Sequence, residues 1–402
     1  MIKPTILQST CVPLAEQPME IVERMGIGHP DTICDATMEQ VAVELTEAYL
    51  KACGRVLHFN ADKGLLVAGQ VECRLGGGSV LSPMRMVIGD RATFEWKRKQ
   101  VPVTDIAEQT VYRWFRRHLP LVKPIKDVIC QVELKPASAE LRSVAERRGG
   151  PVANDTSAAV GYAPLTPTER LVFHTEQFLN SAAFKKEFPD TGQDVKVMGV
   201  RNGGDVALTI AMPLLSSKIT SESQYFSRKA EIVRALKRFV RQKAGSDLSV
   251  GVGLNVLDRR GAGIEGMYVT LLGTSAESGD SGEVGRGNRV CGVISLRRPA
   301  SAEAAAGKNA MTHVGKIYNV LAQVLAEQIC HKVKGVREAT VWITSQIGRP
   351  IASPHSVVVE VNLIPGTALK AVDPLIRVQV EQAFSGIGPF CKALAEGVYG
   401  VW

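Results

Sequence analysis

The order of predicted elements gives an α+β protein whose sheets are covered by helices. Two observations carry that expectation. Runs with strand character come in pairs followed by helices, three times along 402 residues, which argues against one parallel sheet. Hydrophobic residues make up 45% and charged residues 22%, an ordinary globular balance in a chain long enough to bury a large core without staples. That balance excludes disorder as the dominant state. No run of 18 apolar residues occurs, so no membrane span is expected.

Residues 12–34 are polar and bear glycines. Residues 35–50 then repeat apolar side chains at helical spacing through Met38, Val41, Leu45, Ala48 and Tyr49. Pro30 suits a turn or a first helical position, which sets His29-Pro30-Asp31 at that helix's entrance. Residues 55–60 and 65–73 read as strands, punctuated afterwards by glycines 76–78 and Ser82-Pro83. A second helix is expected over 101–115, with Thr104 as its candidate cap. A boundary falls at 147–151, where Gly-Gly-Pro cannot continue a helix. Thr166-Pro167-Thr168-Glu169 then starts a helix running to about 179. Strands follow at 195–198 and 206–212, an amphipathic helix at 221–243, and strands at 248–257 and 267–272. A third region opens at Gly273 with a glycine-rich polar loop. It holds a helix over 312–333, a strand over 339–344 and a helix around 374–384. The predicted α+β domains are 1–150, 151–272 and 273–402, with approximate bounds and strands free to interleave.

Basic residues exceed acidic ones by 48 to 40, a surplus of +8. That suits a polyanionic small molecule at least as well as nucleic acid. With 5% aromatic residues, base-stacking platforms are not favoured, and nucleic acid is not an expected partner. The eight cysteines form no Cys-x-x-Cys pair and show no zinc spacing. A reduced, cytoplasmic protein is expected, and residues 1–8 show no signal-peptide pattern.

The familiar nucleotide signatures are absent. Gly307-Lys308-Asn309 resembles the end of a phosphate loop, but Ala302 and Asn309 break the pattern. Other segments carry the chemistry. Glu23 to Asp35 sets Glu23, His29, Asp31 and Asp35 within thirteen residues broken by Gly26, Gly28 and Pro30. His29 can donate to a leaving phosphate oxygen, and Asp31 can hold Mg²⁺. The alternative there is a capped helix with a structural proline turn. The loop 273–289 can form an anion-binding nest, with Arg286 and Arg289 adding forked contacts and Asp280 placed for a metal. The alternative is a surface loop. Lys308, His313 and Lys316 lie at a helix start, a place that favours phosphate, or else are merely solvated there. Asp155 is a ligand candidate or an Asx cap, and Lys196 faces a site or solvent. Together these residues suit a polyphosphate carried with Mg²⁺ and gripped between domains.

At this point the chain resembles the archaeal-type S-adenosylmethionine synthetases (methionine adenosyltransferases). The likeness rests on Val22-Glu-Arg-Met-Gly-Ile-Gly-His-Pro-Asp-Thr-Ile-Cys-Asp35, Pro151-Val-Ala-Asn-Asp-Thr-Ser157 and Val160-Gly-Tyr-Ala-Pro-Leu165 running into Thr168-Glu-Arg-Leu-Val172. It continues through Asp194-Val-Lys-Val-Met-Gly199, Gly273-Thr-Ser-Ala-Glu277, Gly285-Arg-Gly-Asn-Arg-Val290, Gly307-Lys-Asn309 and His313-Val-Gly-Lys-Ile-Tyr-Asn319. The resemblance implies three related mixed α/β domains around a pseudo-threefold, and a homodimer with active sites at the subunit interface. It implies ATP and L-methionine as substrates, with sulfur attacking ribose C5′ and the bound triphosphate then hydrolysed to pyrophosphate and phosphate. It implies Mg²⁺ as cofactor, with K⁺ as a second candidate cation. By the same resemblance His29, Lys196 and Arg286 are expected in catalysis, and Asp31 and Asp280 at metal. Glu23, Asn60, Asp62, Asp155, Asn288, Arg289, Lys308 and His313 are expected at substrate.

The chain departs from the family in places. Thr32 stands where bacterial members carry lysine. Phe59-Asn60-Ala61-Asp62-Lys63 replaces a common His-Asn-Thr-Asp-Gln, Met25 replaces a frequent basic residue, and Ser278-Gly-Asp-Ser281 replaces Met-Gly-Asp-Asp. A paralogue with another nucleotide or methionine analogue is therefore kept as an alternative. So is a degenerate family member serving as a dimeric scaffold or nucleic-acid binder.

Overall fold

The structure is a computed structural model that describes residues 2–137, 151–245 and 248–402. Most of the boundary expected at 147–151 lies outside the described residues. Three sheets carry the fold, and each has its own buried apolar cluster beneath helices.

One sheet orders Gly282–Glu283, Asn60–Val67, Met84–Ala92 and Val128–Pro136. The helices Pro30–Cys53 and Val103–His118 cover it. Its buried face follows the two-residue strand period through Leu66, Met84, Met86 and Ile88. Its other face leaves Leu65, Val67 and Ile129 at least 40% exposed. A second sheet orders Ser249–Leu254, Asp205–Ala211, Lys196–Asn202, Met19–Met25 and Ile294–Ser295. It lies under Pro167–Leu179 and Glu222–Ala244. The third orders Thr5–Gln8, Ser356–Leu363, Val336–Thr344 and Ala158–Ala163. The helices Val314–Lys332 and Leu369–Ser385 pack on it. The α+β expectation with covered sheets therefore holds. Strands interleave along the chain: Thr5–Gln8 pairs in parallel with Ser356–Leu363, and Met19–Met25 pairs with Lys196–Asn202.

Local signals explain the helix starts. Thr166 accepts from the Glu169 amide, and Glu169 reaches back to the Thr166 amide, a complete capping box. The Val103–His118 helix has no capping side chain, because Pro102 occupies the cap and Thr104 lies inside. The first long helix begins at Pro30, at the entrance that His29-Pro30-Asp31 marks. Thr32, Ile33 and Cys34 face the interior, and His29 supplies the cap.

Candidate active site

The N-terminus of the Pro30–Cys53 helix is pinned from two sides. His29 caps it, with Nδ1 accepting from the Asp31 amide at 3.3 Å, so the ring proton sits on Nε2. Thr274 Oγ1 donates to the Gly28 carbonyl at 2.6 Å, and the Gly28 amide donates to the Gln193 carbonyl at 3.2 Å. A Cβ on Gly28 would meet the Asp194 amide at 2.5 Å, so only glycine lets these loops approach. Asp194 is buried and accepts from both the amide and the hydroxyl of Ser275, at 2.7 and 2.5 Å. Burial pushes its carboxyl above the ordinary range, against the two Ser275 hydrogen bonds. Asp280 is exposed on the same loop.

A glycine strap then crosses the helix. The Glu283 amide donates to Asp31 Oδ1 at 2.9 Å, and the Gly285 amide to Asp35 Oδ1 at 2.8 Å. A Cβ on Gly282 would meet the Pro30 carbonyl at 2.2 Å, and one on Gly287 would meet Asp35 Oδ2 at 2.6 Å. Burial raises Asp35 to about 7, with the Gly285 hydrogen bond opposing. The strap delivers Arg286 to a cleft of about 500 Å³ lined also by Asp62, Lys63, Leu65, Glu303 and Lys308.

The far side of that cleft is a buried charge cluster. Lys308 is 3% exposed and pairs with Asp62 at 2.5 Å and Glu303 at 3.2 Å. Asn60 donates to Asp62 at 2.7 Å and to Asp90 at 2.9 Å, and Lys63 pairs with Asp62 at 2.7 Å. Burial disfavours charge on Asp62. The ammonium of Lys308, with help from Lys63, overturns that and holds the carboxyl below its usual range. Asp90 is raised to about 6 by burial and by Asp62 beside it. His313 caps the Val314–Lys332 helix through Nδ1 and falls to about 3, through burial first and the Lys308 charge second. Behind Lys308, Lys316 is buried and paired with both oxygens of Glu39 at 2.6 Å. Lys316 also donates to the Lys308 carbonyl, and Glu39 accepts from the Gly307 amide. Lys316 therefore holds the loop in shape from beneath and does not face the cleft.

The structure brings Asn60, Asp62, Lys308 and His313 into one cluster, with Arg286 at the rim of its cleft and the strap linking it to His29 and Asp31. Glu23 and Lys196 pair at 3.2 Å across adjacent strands, half exposed. Asn288 sits below the strap and exchanges two hydrogen bonds with the Met25 backbone. Arg289 donates to the Gly285 carbonyl at 3.0 Å. Asp155 is exposed and accepts from the Thr156 amide next to it, outside the cleft. The sequence reading named no role for Asp90, Asp194, Glu39 or Glu303. Asp90 held one signal only the backbone shows: a φ of 100°, unusual for a non-glycine residue.

Comparison with known proteins shows the family. Residues 4–398 match the family described as S-adenosylmethionine synthetase (AdoMet synthetase). The chain is 44% identical to the S-adenosylmethionine synthase of Pyrobaculum aerophilum, over 87% of this chain and 88% of that one. It is 43% identical to that of Aeropyrum pernix, over 94% of each chain. Identity is 42% to the probable S-adenosylmethionine synthase of Aquifex aeolicus, over 92% of each. Among solved structures, an unusual S-adenosylmethionine synthetase from Campylobacter jejuni shares the fold at a TM-score of 0.63. That match has 14% identity and covers 96% of this chain and 95% of that one.

Proposed function

The chain belongs to the S-adenosylmethionine synthetase family, and we propose that its cleft joins ATP to L-methionine by sulfur attack on ribose C5′. Triphosphate leaves whole and is then hydrolysed to pyrophosphate and phosphate in place. The observation that carries this assignment of residues is the strap at 282–287, which sets Arg286 opposite Lys308 above the helix that His29 caps. A thioether has no proton to lose, so the first step needs no base. Its barrier falls when charge on the departing oxygen is met by fixed donors. His29 presents Nε2–H for that purpose, since Nδ1 is spent on its own helix. Arg286 and Lys308 hold the phosphate chain, and Lys196 with Glu23 borders the same end. Asp31, Asp155, Asn288 and Arg289 complete the proposed substrate and metal set.

Among the described residues no group of three metal-ligating side chains is gathered. Asp31 and Asp280 nevertheless fit Mg²⁺, which is commonly held by one or two carboxylates together with substrate phosphates. When bound, Mg²⁺ would neutralise phosphate charge, with Asp31 and Asp280 the residues that would hold it.

We further propose a homodimer that closes this cleft. Lys63 and Leu65 line it and lie on the sheet face where Leu65, Val67 and Ile129 stay exposed, so a partner on that face would cover it. Asp155, outside the cleft of its own chain, is a residue that such sharing would employ. A cytoplasmic setting is supported by eight cysteines that are all free, and no helix among the described residues is long and apolar enough to cross a membrane.

Mixing the protein with ATP, methionine and Mg²⁺ should yield a sulfonium product by mass. Equal ATP hydrolysis without methionine, and no sulfonium, would overturn the assignment. Sedimentation across a dilution series should show activity lost as dimer gives way to monomer, and a fully active monomer would remove the shared site.

A further inference from the structure

We propose that the exposed face of the Glu222–Ala244 helix, with the cleft at its C-terminal end, binds the phosphate backbone of a nucleic acid. The helix holds seven cations against two carboxylates, five of the chain's eight surplus charges. Its first half spends its cations internally: Arg228 pairs with Asp190 and Glu231, and Lys229 with Asp258. From Ile232 onward the helix has no carboxylate. Arg234, Lys237, Arg238, Arg241 and Lys243 are exposed and have no ion-pair partner among the described residues.

Positions 234, 237, 238 and 241 fall at i, i+3, i+4 and i+7, so they form one stripe, and like charges at such spacings repel. The helix dipole compensates only the last turn, where Arg241 and Lys243 lie, and not Arg234 to Arg238. A cleft of about 540 Å³ lies at the C-terminal end of the helix. Arg170, His174, Lys243 and the Gly203-Gly204 turn line it, together with Arg201, which is paired inward with Glu20, and among the described residues no carboxylate lines it. Among the described residues, the exposed charged side chains of the helix from Ile232 onward and the charged residues lining the cleft are all basic.

The chemistry of the occupant follows from what is missing beside these cations. No large apolar side chain of the helix is exposed. A protein partner would want an apolar centre, and a membrane an apolar edge to insert. A phosphate backbone needs only cations. Phe239, the aromatic residue nearest the stripe, is stacked on Phe178 at 4.1 Å, so bases have no platform and binding is sequence-independent. From Arg234 to Arg241 the stripe rises about 10 Å, roughly three phosphates along a duplex strand. The surface is separate from the catalytic cleft. The strand Lys196–Asn202 carries Lys196 at one end and Arg201 about 17 Å away at the other. The low aromatic content and the modest overall surplus argue against nucleic acid, but backbone binding needs no stacking platform and this one helix carries most of the surplus.

The test is fluorescence anisotropy with a labelled mixed-sequence DNA duplex and the full chain, between about 50 and 200 mM salt. Affinity should fall steeply with salt. Lys237→Gln/Arg241→Gln should weaken binding at least tenfold and flatten the log–log salt slope by about 1.8, two phosphates' worth. The same variant should keep sulfonium formation within about twofold of wild type, and Lys308→Ala should leave DNA binding unchanged. No binding at low salt, binding indifferent to the helix variant, or binding lost in Lys308→Ala would each overturn the proposal.

Discussion

The two ends of the proposed active site are built on opposite electrostatic terms. Around Lys308 the charges are buried and already matched: Lys308 with Asp62 and Glu303, Lys316 with Glu39, and Asn60 between two carboxylates. Around His29 the polar groups stand more open. Asp280 is exposed, and Lys196 shares a half-exposed pair with Glu23. The first end is fixed before any substrate arrives, because a buried ion pair tolerates little rearrangement. The second keeps donors free for charge that appears only during reaction. One helix, Pro30–Cys53, joins them, with His29 at its cap and Glu39 beneath Lys308.

The largest effect should come from breaking the fixed end. Glu39→Ala leaves the buried Lys316 ammonium without its carboxylate, and loss of one partner of a buried pair costs about 3–5 kcal/mol. Denaturant unfolding reads this directly. Glu39→Leu/Lys316→Met removes both charges and should fold far better than the single variant. It should still raise the KM for ATP, because the Gly307 amide and Lys308 carbonyl lose their partners. A single variant as stable as wild type would mean this end is not held by that pair.

How legible all this was in the sequence divides along the same line. Short-range chemistry was readable: Thr166 and Glu169 announced a capping box, and His29-Pro30-Asp31 announced a helix entrance. The strand Met19–Met25 was hidden in a stretch that looked merely polar, since Glu20, Glu23 and Arg24 find buried or half-buried partners across it. Met84–Ala92 and Ser356–Leu363 went unread, and the pairing of Thr5–Gln8 with a strand some 350 residues later has no local signal. In the site, each motif was visible but its depth was not. Lys308 and Lys316 look alike as basic residues near a helix start, yet one lines the cleft and the other lies under it. Burial of a lysine depends on a carboxylate from another segment, here Asp62 or Glu39, and that partnership is a tertiary fact.

A smaller effect tests the fixed end through protons. Burial and Lys308 hold His313 neutral down to about 3, while the unfolded chain takes up a proton near 6.5. The unfolded state thus binds more protons between those values, so His313 contributes stability that is complete above pH 6.5 and is lost as pH falls toward 3. Between pH 6.5 and 5 that loss is about 2 kcal/mol. His313→Asn keeps a capping side chain and should lose correspondingly less over the same range. Identical acid limbs for the two proteins would show that His313 is not held neutral by this cluster.

The contrast between the ends is tested most directly by following His29→Ala and Lys308→Ala side by side in single-turnover reactions, with ATP affinity titrated separately. Loss of a donor aimed at the departing oxygen should cut sulfonium formation by about 10²–10³, or 2.7–4 kcal/mol, and barely alter ATP binding, because that charge grows only as the C5′ bond breaks. Lys308→Ala should weaken ATP binding and slow hydrolysis of the bound triphosphate. If His29→Ala instead leaves the single-turnover rate intact and only raises the ATP dissociation constant, then His29 is a clamp or a cap, and the division of the cleft into a fixed end and a reacting end is wrong.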